Sequence, residues 1–303
     1  MRILVLGGGN SPERDVSLRS SQAVAEALEA AGYEVLRADL RDGYDCLDNL
    51  EPDDIVFPIL HGAEGEDGVV QAEMERRGLA FLGSDSAASS KCFDKQKSRE
   101  AFMRAGIPVA EGGSVTKETY KEHELSKMPH VLKVQRGGSS IGTYLVPDPT
   151  QADPEKIEQV FLLDSEAIIE ELVEGVEITV PVLDGHALPV IEIKPPSNEE
   201  FDYENKYNGK TQEICPPVSV SKEQQTYAQA LAVKVHQTMH CRHLSRTDIM
   251  IANDGRMAVL EVNTMPGMTN QSLFPLSAKV AGMPMPELMK KFVALVQRDY
   301  PKN

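Results

Sequence analysis

The sequence predicts an α/β protein whose later parts turn α+β, and three observations carry this reading. Short apolar runs alternate with helical periodicity through the first third, as in a parallel sheet with helices on both faces. After Gly175 the apolar runs come in pairs around Asp-Gly, as in antiparallel hairpins. A chain of 303 residues, 41% hydrophobic and 26% charged, is long enough for two or three domains around a large buried core.

Taken in order, residues 3–6 read as a strand running into Gly7-Gly8-Gly9. Residues 19–31 read as a helix, with Val24, Leu28 and alanines on one face and Gly32 as its stop. Strands follow at 33–36 and 55–60, then a helix at 69–77 closed by Gly78, and a strand at 79–82. Residues 87–106 are helical and rich in Lys and Arg. Strands at 131–134, 143–146 and 167–171 belong to a smaller α+β unit. Runs 178–183 and 188–193 surround Asp184-Gly185, and runs 246–251 and 257–263 surround Asn253-Asp254-Gly255. Helices at 223–239 and 286–299 complete the chain. The polar stretch 195–217 lacks periodicity; a loop of that length is a functional lid or is disordered, and mobility without ligand is the expectation.

Composition narrows the class. A formal charge of −16 argues against nucleic acid and anionic membrane surfaces as partners. Trp is absent and aromatics make up only 5%, so a base-stacking platform is not expected, and small molecules are the default partners. No long apolar run and no signal-peptide pattern is present, which makes the cytoplasm the expected location. Cys46, Cys92, Cys215 and Cys241 are widely spaced, with no CxxC pair, and read as free thiols.

The last hairpin is the densest chemical signal. A two-residue Asp254-Gly255 turn sets Asp248 opposite Glu261 and Arg246 opposite Asn263, all on one face. Thr247, Ile249, Ile251, Ala258, Leu260 and Val262 then line the other. Facing carboxylates repel, and a hard divalent cation relieves the repulsion. The alternative is an exposed strand face that happens to carry charge. Downstream, Pro266-Gly267 leaves a backbone N–H at Gly267 placed to bind an oxyanion.

Four other segments matter. Gly7-Gly8-Gly9-Asn10-Ser11 fails as a dinucleotide fingerprint because Pro12 stands where the third glycine should open a helix. It reads instead as a turn bringing Glu13 and Arg14 to the carboxyl end of the sheet. His61-Gly62 with Gly65-Glu66-Asp67-Gly68 allows close backbone approach to a ligand, although His61 alone also reads as a structural histidine. Lys133 leads into Gly137-Gly138-Ser139-Ser140-Ile141-Gly142, a donor-rich loop suited to covering phosphate but not a Walker A loop. Tyr203 and Tyr207 in the long loop cover something, whether a ligand or their own domain.

Together these segments resemble the D-alanine–D-alanine ligases of the ATP-grasp superfamily, in the family's order and spacing. The motifs are Glu13-Arg14-Asp15-Val16-Ser17-Leu18, His61-Gly62 with Gly65-Glu66-Asp67-Gly68, Asp94-Lys95, and Gly138 to Gly142. Asp202-Tyr203 with Lys206-Tyr207, Arg246-Thr247-Asp248, and Glu261 to Thr269 complete them. The resemblance implies three domains: 1–90 for the first D-alanine, 91–173 as a central lid, and 174–303 with a mainly antiparallel sheet and the metal site. It implies ATP held by Lys95, Lys133, Ser139, Ser140 and Lys206 at the phosphates, and by Glu170, Glu171, Leu172, Val173 and Glu177 at adenine and ribose. Asp248, Glu261 and Asn263 would bind two Mg²⁺ or Mn²⁺. Glu13 would pair with the first D-alanine's ammonium, with His61 beside it. Arg246 and the Gly267 N–H would stabilise the oxyanion, and Ser272 and Leu273 would receive the second substrate's carboxylate. Ser139 and Tyr207 would meet on lid closure.

The resemblance also implies a homodimer, a role in peptidoglycan precursor synthesis, and D-alanine rather than D-lactate in the second subsite, because Tyr207 is not His; D-serine is harder to exclude. A module that binds nucleotide without catalysing would have lost a metal ligand or the oxyanion arginine, and all four residues are present. The chain departs from the family pattern at Ala72, Val134, Val176 and His243, none of them a charged catalytic position.

Overall fold

The computed structural model describes residues 1–138, 141–194 and 211–301. Three sheets organise them. The first is parallel, in the order β2-β1-β3-β4, from strands β1 (Arg2–Gly7), β2 (Glu34–Asp39), β3 (Ile55–Pro58) and β4 (Ala80–Phe81). Strand order reverses between β1 and β3. Ligands bind outside the carboxyl ends of strands at such a point, and here those ends deliver Gly7 and, just past β3, His61.

Helix α1 spans Arg14–Ala30, five residues longer at its start than the apolar spacing suggests. The reason is that its first turns bury hydroxyls instead of hydrocarbon. Ser17 Oγ donates to Ile59 O at 2.6 Å and accepts from Gly8 N at 2.9 Å, tying the helix to the ends of β1 and β3. Helix α2 (Val69–Arg76) follows as expected. The stretch 87–106 is two helices, α3 (Ser86–Phe93) and α4 (Lys95–Arg104), broken at Asp94. Asp94 is extended (φ −87°, ψ 105°), and its carboxylate accepts from Lys97 N at 3.0 Å as the cap of α4.

The second sheet is antiparallel, β5-β8-β6-β7, from β5 (Gly112–Thr116), β6 (His130–Val134), β7 (Thr143–Val146) and β8 (Glu166–Glu171). Helix α5 (Pro154–Leu163) packs on it over Val115, Leu132, Val160, Ala167 and Ile169. Sequence periodicity passes over β5, whose Gly112-Gly113-Ser114 start carries no apolar alternation.

The third sheet runs β12-β11-β9-β13-β14, with β10 on β9. Its strands are β9 (Gly175–Leu183), β10 (His186–Ala187), β11 (Ile191–Lys194), β12 (Gln212–Ile214), β13 (Leu244–Ala252) and β14 (Met257–Asn263). Strand β12 lies within the segment read from sequence as loop; residues 195–210, with the expected lid, lie outside the described residues. Helix α6 (Lys222–Thr238) covers one face of the sheet. Helices α7 (Leu273–Val280) and α8 (Met285–Asp299) close the chain.

Helix α8 joins the first and third sheets. Phe292 stacks edge-on against Phe57 at 6.4 Å and tilts against Phe274 at 6.1 Å, in a core that includes Ile3, Val5, Leu183, Leu244 and Val296. The first and third sheets thus share one core, while the central sheet has its own.

The two Asp-Gly turns differ. Asp184 and Gly185 both have positive φ (53° and 74°) and form the two-residue turn expected, with His186 opposite Leu183. The later turn has three residues. Ala252 N donates to Arg256 O, and Gly255 (φ 87°) closes the loop. The pairs next to it are Ile251 with Met257, Met250 with Ala258 and Ile249 with Val259. A bulge then inserts Leu260, and pairing resumes as Asp248–Glu261, Thr247–Val262 and Arg246–Asn263. Ala258 therefore shares the Asp248 face with Met250, and Leu260 is the extra residue; neither lines the opposite face as the alternation implied.

Candidate active site

A single pocket is lined by groups from the first and third sheets and from the α3–α4 junction: Glu13, His61, Glu66, Lys95, Arg246, Glu261, Asn263 and Gly267 among them, with Gly137 and Gly138 from the loop after β6. Two of its walls, and a cationic cluster apart from them, follow from local structure.

The first wall is acidic. Glu13 precedes α1 and is buried (4% exposed). The Gly62 and Gly138 backbones lie so close that a Cβ on either would sit 2.5 or 3.1 Å from its Oε2. Glu66 is also buried and accepts from Gly62 N at 2.7 Å. Burial, and then the Glu13 carboxylate, push the Glu66 carboxyl well above the usual range, which keeps it protonated. His61 is buried with Nε2 3.2 Å from Ser20 Oγ. Desolvation lowers its pKa to about 4, so the ring is neutral at pH 7.

The second wall is the β13–β14 ribbon. Arg246 donates to both oxygens of Asp248, at 2.9 and 2.8 Å, and Thr179 Oγ donates to Asp248 Oδ1 at 2.5 Å. Lys95 Nζ stands 3.5 Å from Glu261 Oε2 and donates to Gly137 O at 2.6 Å. Each of the facing carboxylates thus has a cationic neighbour, Arg246 for Asp248 and Lys95 for Glu261. Among the described residues no group of three or more His, Cys, Asp or Glu could hold a metal ion; the candidate set is two carboxylates and the Asn263 amide, whose Oδ1 already accepts from Met265 N at 2.9 Å. Three hard oxygen donors on successive or facing positions remain a chemically suitable set for Mg²⁺.

A cationic cluster lies outside the residues that line this pocket. Lys133 Nζ lies 2.6 Å from Glu170, and Arg99, on α4 one turn after Lys95, lies 3.1 Å from the same carboxylate. All three are buried, and two cations on one anion leave net positive charge suited to phosphate. Sequence reading missed Arg99; its signal was the i, i+4 spacing from Lys95 on a helix. Glu66, quoted only as part of a motif, and Thr179 were likewise not read as site residues.

The remaining candidates distribute as follows. Glu170 and Glu171 end β8, and Leu172 and Val173 begin the link to β9; Glu171 and Val173 line a groove with Pro108, Tyr227 and Met257, and Leu172 N donates to Pro129 O. Glu177 shares a small pocket with Thr179, Arg246, Asp248, Glu213 and Leu273. Gly267 lies against Ser272, where an added Cβ would meet Oγ at 2.9 Å. Ser272 precedes α7, and Leu273 is its first residue, so both stand at a helix N-terminus that favours a carboxylate. Ser139, Ser140, Lys206 and Tyr207 lie outside the described residues.

The comparisons with known proteins decide the family. The model of the D-ala D-ala ligase C-terminus matches residues 102–294. A D-alanine–D-alanine ligase from Halalkalibacterium halodurans is 40% identical over 304 residues, covering 97% of this chain and 99% of that protein.

The chain belongs to the D-alanine–D-alanine ligase family.

A second D-alanine–D-alanine ligase, from Methylacidiphilum infernorum, is 38% identical over 97% of this chain and 94% of its own length. Among solved structures, the D-alanine–D-alanine ligase from Bacillus anthracis complexed with ATP matches with a TM-score of 0.84 at 30% identity, covering 99% of this chain and 98% of that one. A D-Ala:D-Ser ligase from Enterococcus faecalis matches at 0.83 and 28% identity, over 98% and 99%. The three sheets are thus those of the ATP-grasp fold. Two departures from the family pattern acquire a physical setting. Val134 packs under the glycines of the loop after β6, its methyls 2.7 and 2.6 Å from where Cβ atoms on Gly137 and Gly142 would lie. His243 occupies a positive-φ position (65°), where glycine is the unstrained residue.

Proposed function

We propose that this chain joins two D-alanines into D-alanyl-D-alanine for peptidoglycan precursor synthesis, converting ATP to ADP and phosphate. The observation that supports it most is the gathering of Glu13, His61, Lys95, Arg246, Glu261, Asn263 and Gly267 around one pocket in a chain of this family.

A carboxylate is a poor electrophile, and phosphorylation by ATP makes it an acyl phosphate. Glu13, beside a Glu66 whose burial favours its protonated form, would hold the first D-alanine's ammonium. Lys95, Lys133 and Arg99 would hold phosphates, with Glu170, Glu171, Leu172, Val173 and Glu177 around adenine and ribose. Asp248, Glu261 and Asn263 would hold two Mg²⁺ or Mn²⁺, which supply charge neutralisation at the transferring phosphoryl group. The second D-alanine's carboxylate would rest at Ser272 and Leu273. Its amine attacks the acyl carbon, and Arg246 with the Gly267 N–H would face the oxygen that gains charge. Roles for Ser139, Ser140, Lys206 and Tyr207 in closing the site against water rest on the sequence motifs. Division of the chain at 1–90, 91–173 and 174–303, a homodimer and a cytoplasmic location complete the proposal. No helix among the described residues is long and apolar enough to cross a membrane.

The test is ADP release from ATP and Mg²⁺ that depends on D-alanine; none above background defeats the proposal. The likeness to a D-Ala:D-Ser ligase makes D-serine the second reading for the acceptor. Mixed assays with D-alanine plus D-serine or D-lactate, resolved by product mass, separate them.

A further inference from the structure

Cys92 and Cys241 are 149 residues apart in sequence, yet their Sγ atoms lie 3.9 Å apart, and neither is in a disulfide. Cys92 is the penultimate residue of α3. It lines the main pocket with Phe93 and Lys95, and Asp94 and Lys95 follow it directly. Cys241 lies in the tight turn closing α6, after His240 (φ 56°), with its N–H donating to His236 O. The pair thus connects the wall that carries Lys95 to the helix covering the third sheet. Its edge position against Val235, Met239 and Val262 would suit two small apolar side chains equally well. Sulfur against sulfur, with Cys92 buried and Cys241 partly exposed, adds a chemistry that such packing does not use.

We propose that Cys92 and Cys241 form a redox-active dithiol, a modification site that closes to a disulfide and restrains the pocket wall bearing Lys95. A disulfide places its sulfurs about 2.05 Å apart, so closure draws them together by rather less than 2 Å, within reach of side-chain rotation and a small shift of the α3 end. The oxidant is a hydroperoxide. Cys241 is the more exposed of the two and reacts first: its thiolate attacks a peroxide oxygen, S–O forms, O–O breaks, and the departing hydroxide takes up a proton as water. Cys92 sulfur then attacks Cys241 Sγ. S–S forms, S–O breaks, and hydroxide leaves with the Cys92 proton as a second water. The Cys241 sulfur and burial raise the pKa of the Cys92 thiol, so Cys92 gives up its proton only as it attacks, to the departing hydroxide.

The restraint acts at the junction that carries Lys95. Lys95 N donates to Gln135 O, and Asp94 bridges to Arg136, so the α3–α4 junction also anchors the second sheet. A cross-link to the third sheet's helix limits any relative motion of the two sheets that turnover requires.

The test treats the reduced full-length chain with hydrogen peroxide. Intact mass should fall by two hydrogens, peptide mapping should join Cys92 to Cys241, and D-alanine-dependent turnover should drop by about fivefold and return with dithiothreitol. Cys241→Ser and, independently, Cys92→Ala should keep their turnover through the same treatment. Oxygen adducts without the cross-link, or a cross-link that leaves turnover unchanged, overturn the proposal. Because the cross-link is read by mass, it is judged separately from the ligase reading.

Discussion

Asp248 faces Glu261 across the β13–β14 ladder even though the turn joining the strands is one residue longer than Asp254-Gly255 implies. The bulge at Leu260 takes up the extra residue, so both carboxylates return to one face. Arg246 pairs with Asp248, and Lys95 stands beside Glu261.

That arrangement makes a prediction for Arg246→Ala. Removing one partner of a buried charge pair costs about 3–5 kcal/mol, here because Asp248 loses its guanidinium. Mg²⁺ should then raise the melting temperature of Arg246→Ala more than that of the parent chain, while turnover falls by at least about a hundredfold. Equal Mg²⁺ shifts in the two proteins would show that Asp248 and Glu261 do not take up the cation.

Much of this site was legible because its groups sit on short local patterns. Asp248, Glu261, Arg246 and Asn263 lie on a hairpin with strong turn chemistry, and two deviations of one residue each cancel along it. The start of α1 was hidden because Ser17 and Ser20 are buried as polar groups, and hydrophobic periodicity cannot register a helix docked through hydroxyls. The i, i+4 spacing from Lys95 marks Arg99 itself, but its pairing with Glu170, like that of Cys92 with Cys241, is a long-range encounter that no local spacing encodes. β5 escaped because glycines carry no side-chain alternation.

Glu66→Gln tests the acidic wall. Glu66 has its folded pKa raised, so its contribution to stability is present at low pH and is lost as pH rises through that value. Glutamine mimics the protonated acid and can still accept from Gly62 N. The variant should match the parent chain in melting temperature near pH 5 and exceed it increasingly toward pH 9. A constant difference across that range would mean Glu66 is ionised throughout.

His243 has φ 65° and a buried ring whose Nδ1 accepts from Gly83 N at 3.0 Å, which places the proton on Nε2, 3.0 Å from Asp299. His243→Ala keeps the backbone strain and loses both contacts. His243→Gly loses the contacts but relieves roughly 1 kcal/mol of strain. A lost buried acceptor costs about 1–3 kcal/mol, so glycine should not fully compensate. The melting temperatures should rank parent chain, then His243→Gly, then His243→Ala; a more stable glycine variant would show that the ring contributes nothing.

His236 and His243 both have pKa values lowered to about 4, chiefly by burial, and His236 Nδ1 lies 2.7 Å from Ser245 Oγ. A histidine depressed on folding binds its proton in the unfolded chain first, near pH 6.5. The stability it contributes is therefore complete above that value and declines as pH falls toward 4. With His61, lowered likewise, three such groups give a slope of at most roughly 4.1 kcal/mol per pH unit in that window. Urea melts of the full chain at pH 7, 6, 5 and 4.5 measure it. His236→Gln should be less stable at pH 7 but have the shallower slope, because one titrating group is gone. An unchanged slope would place the acid sensitivity in other groups.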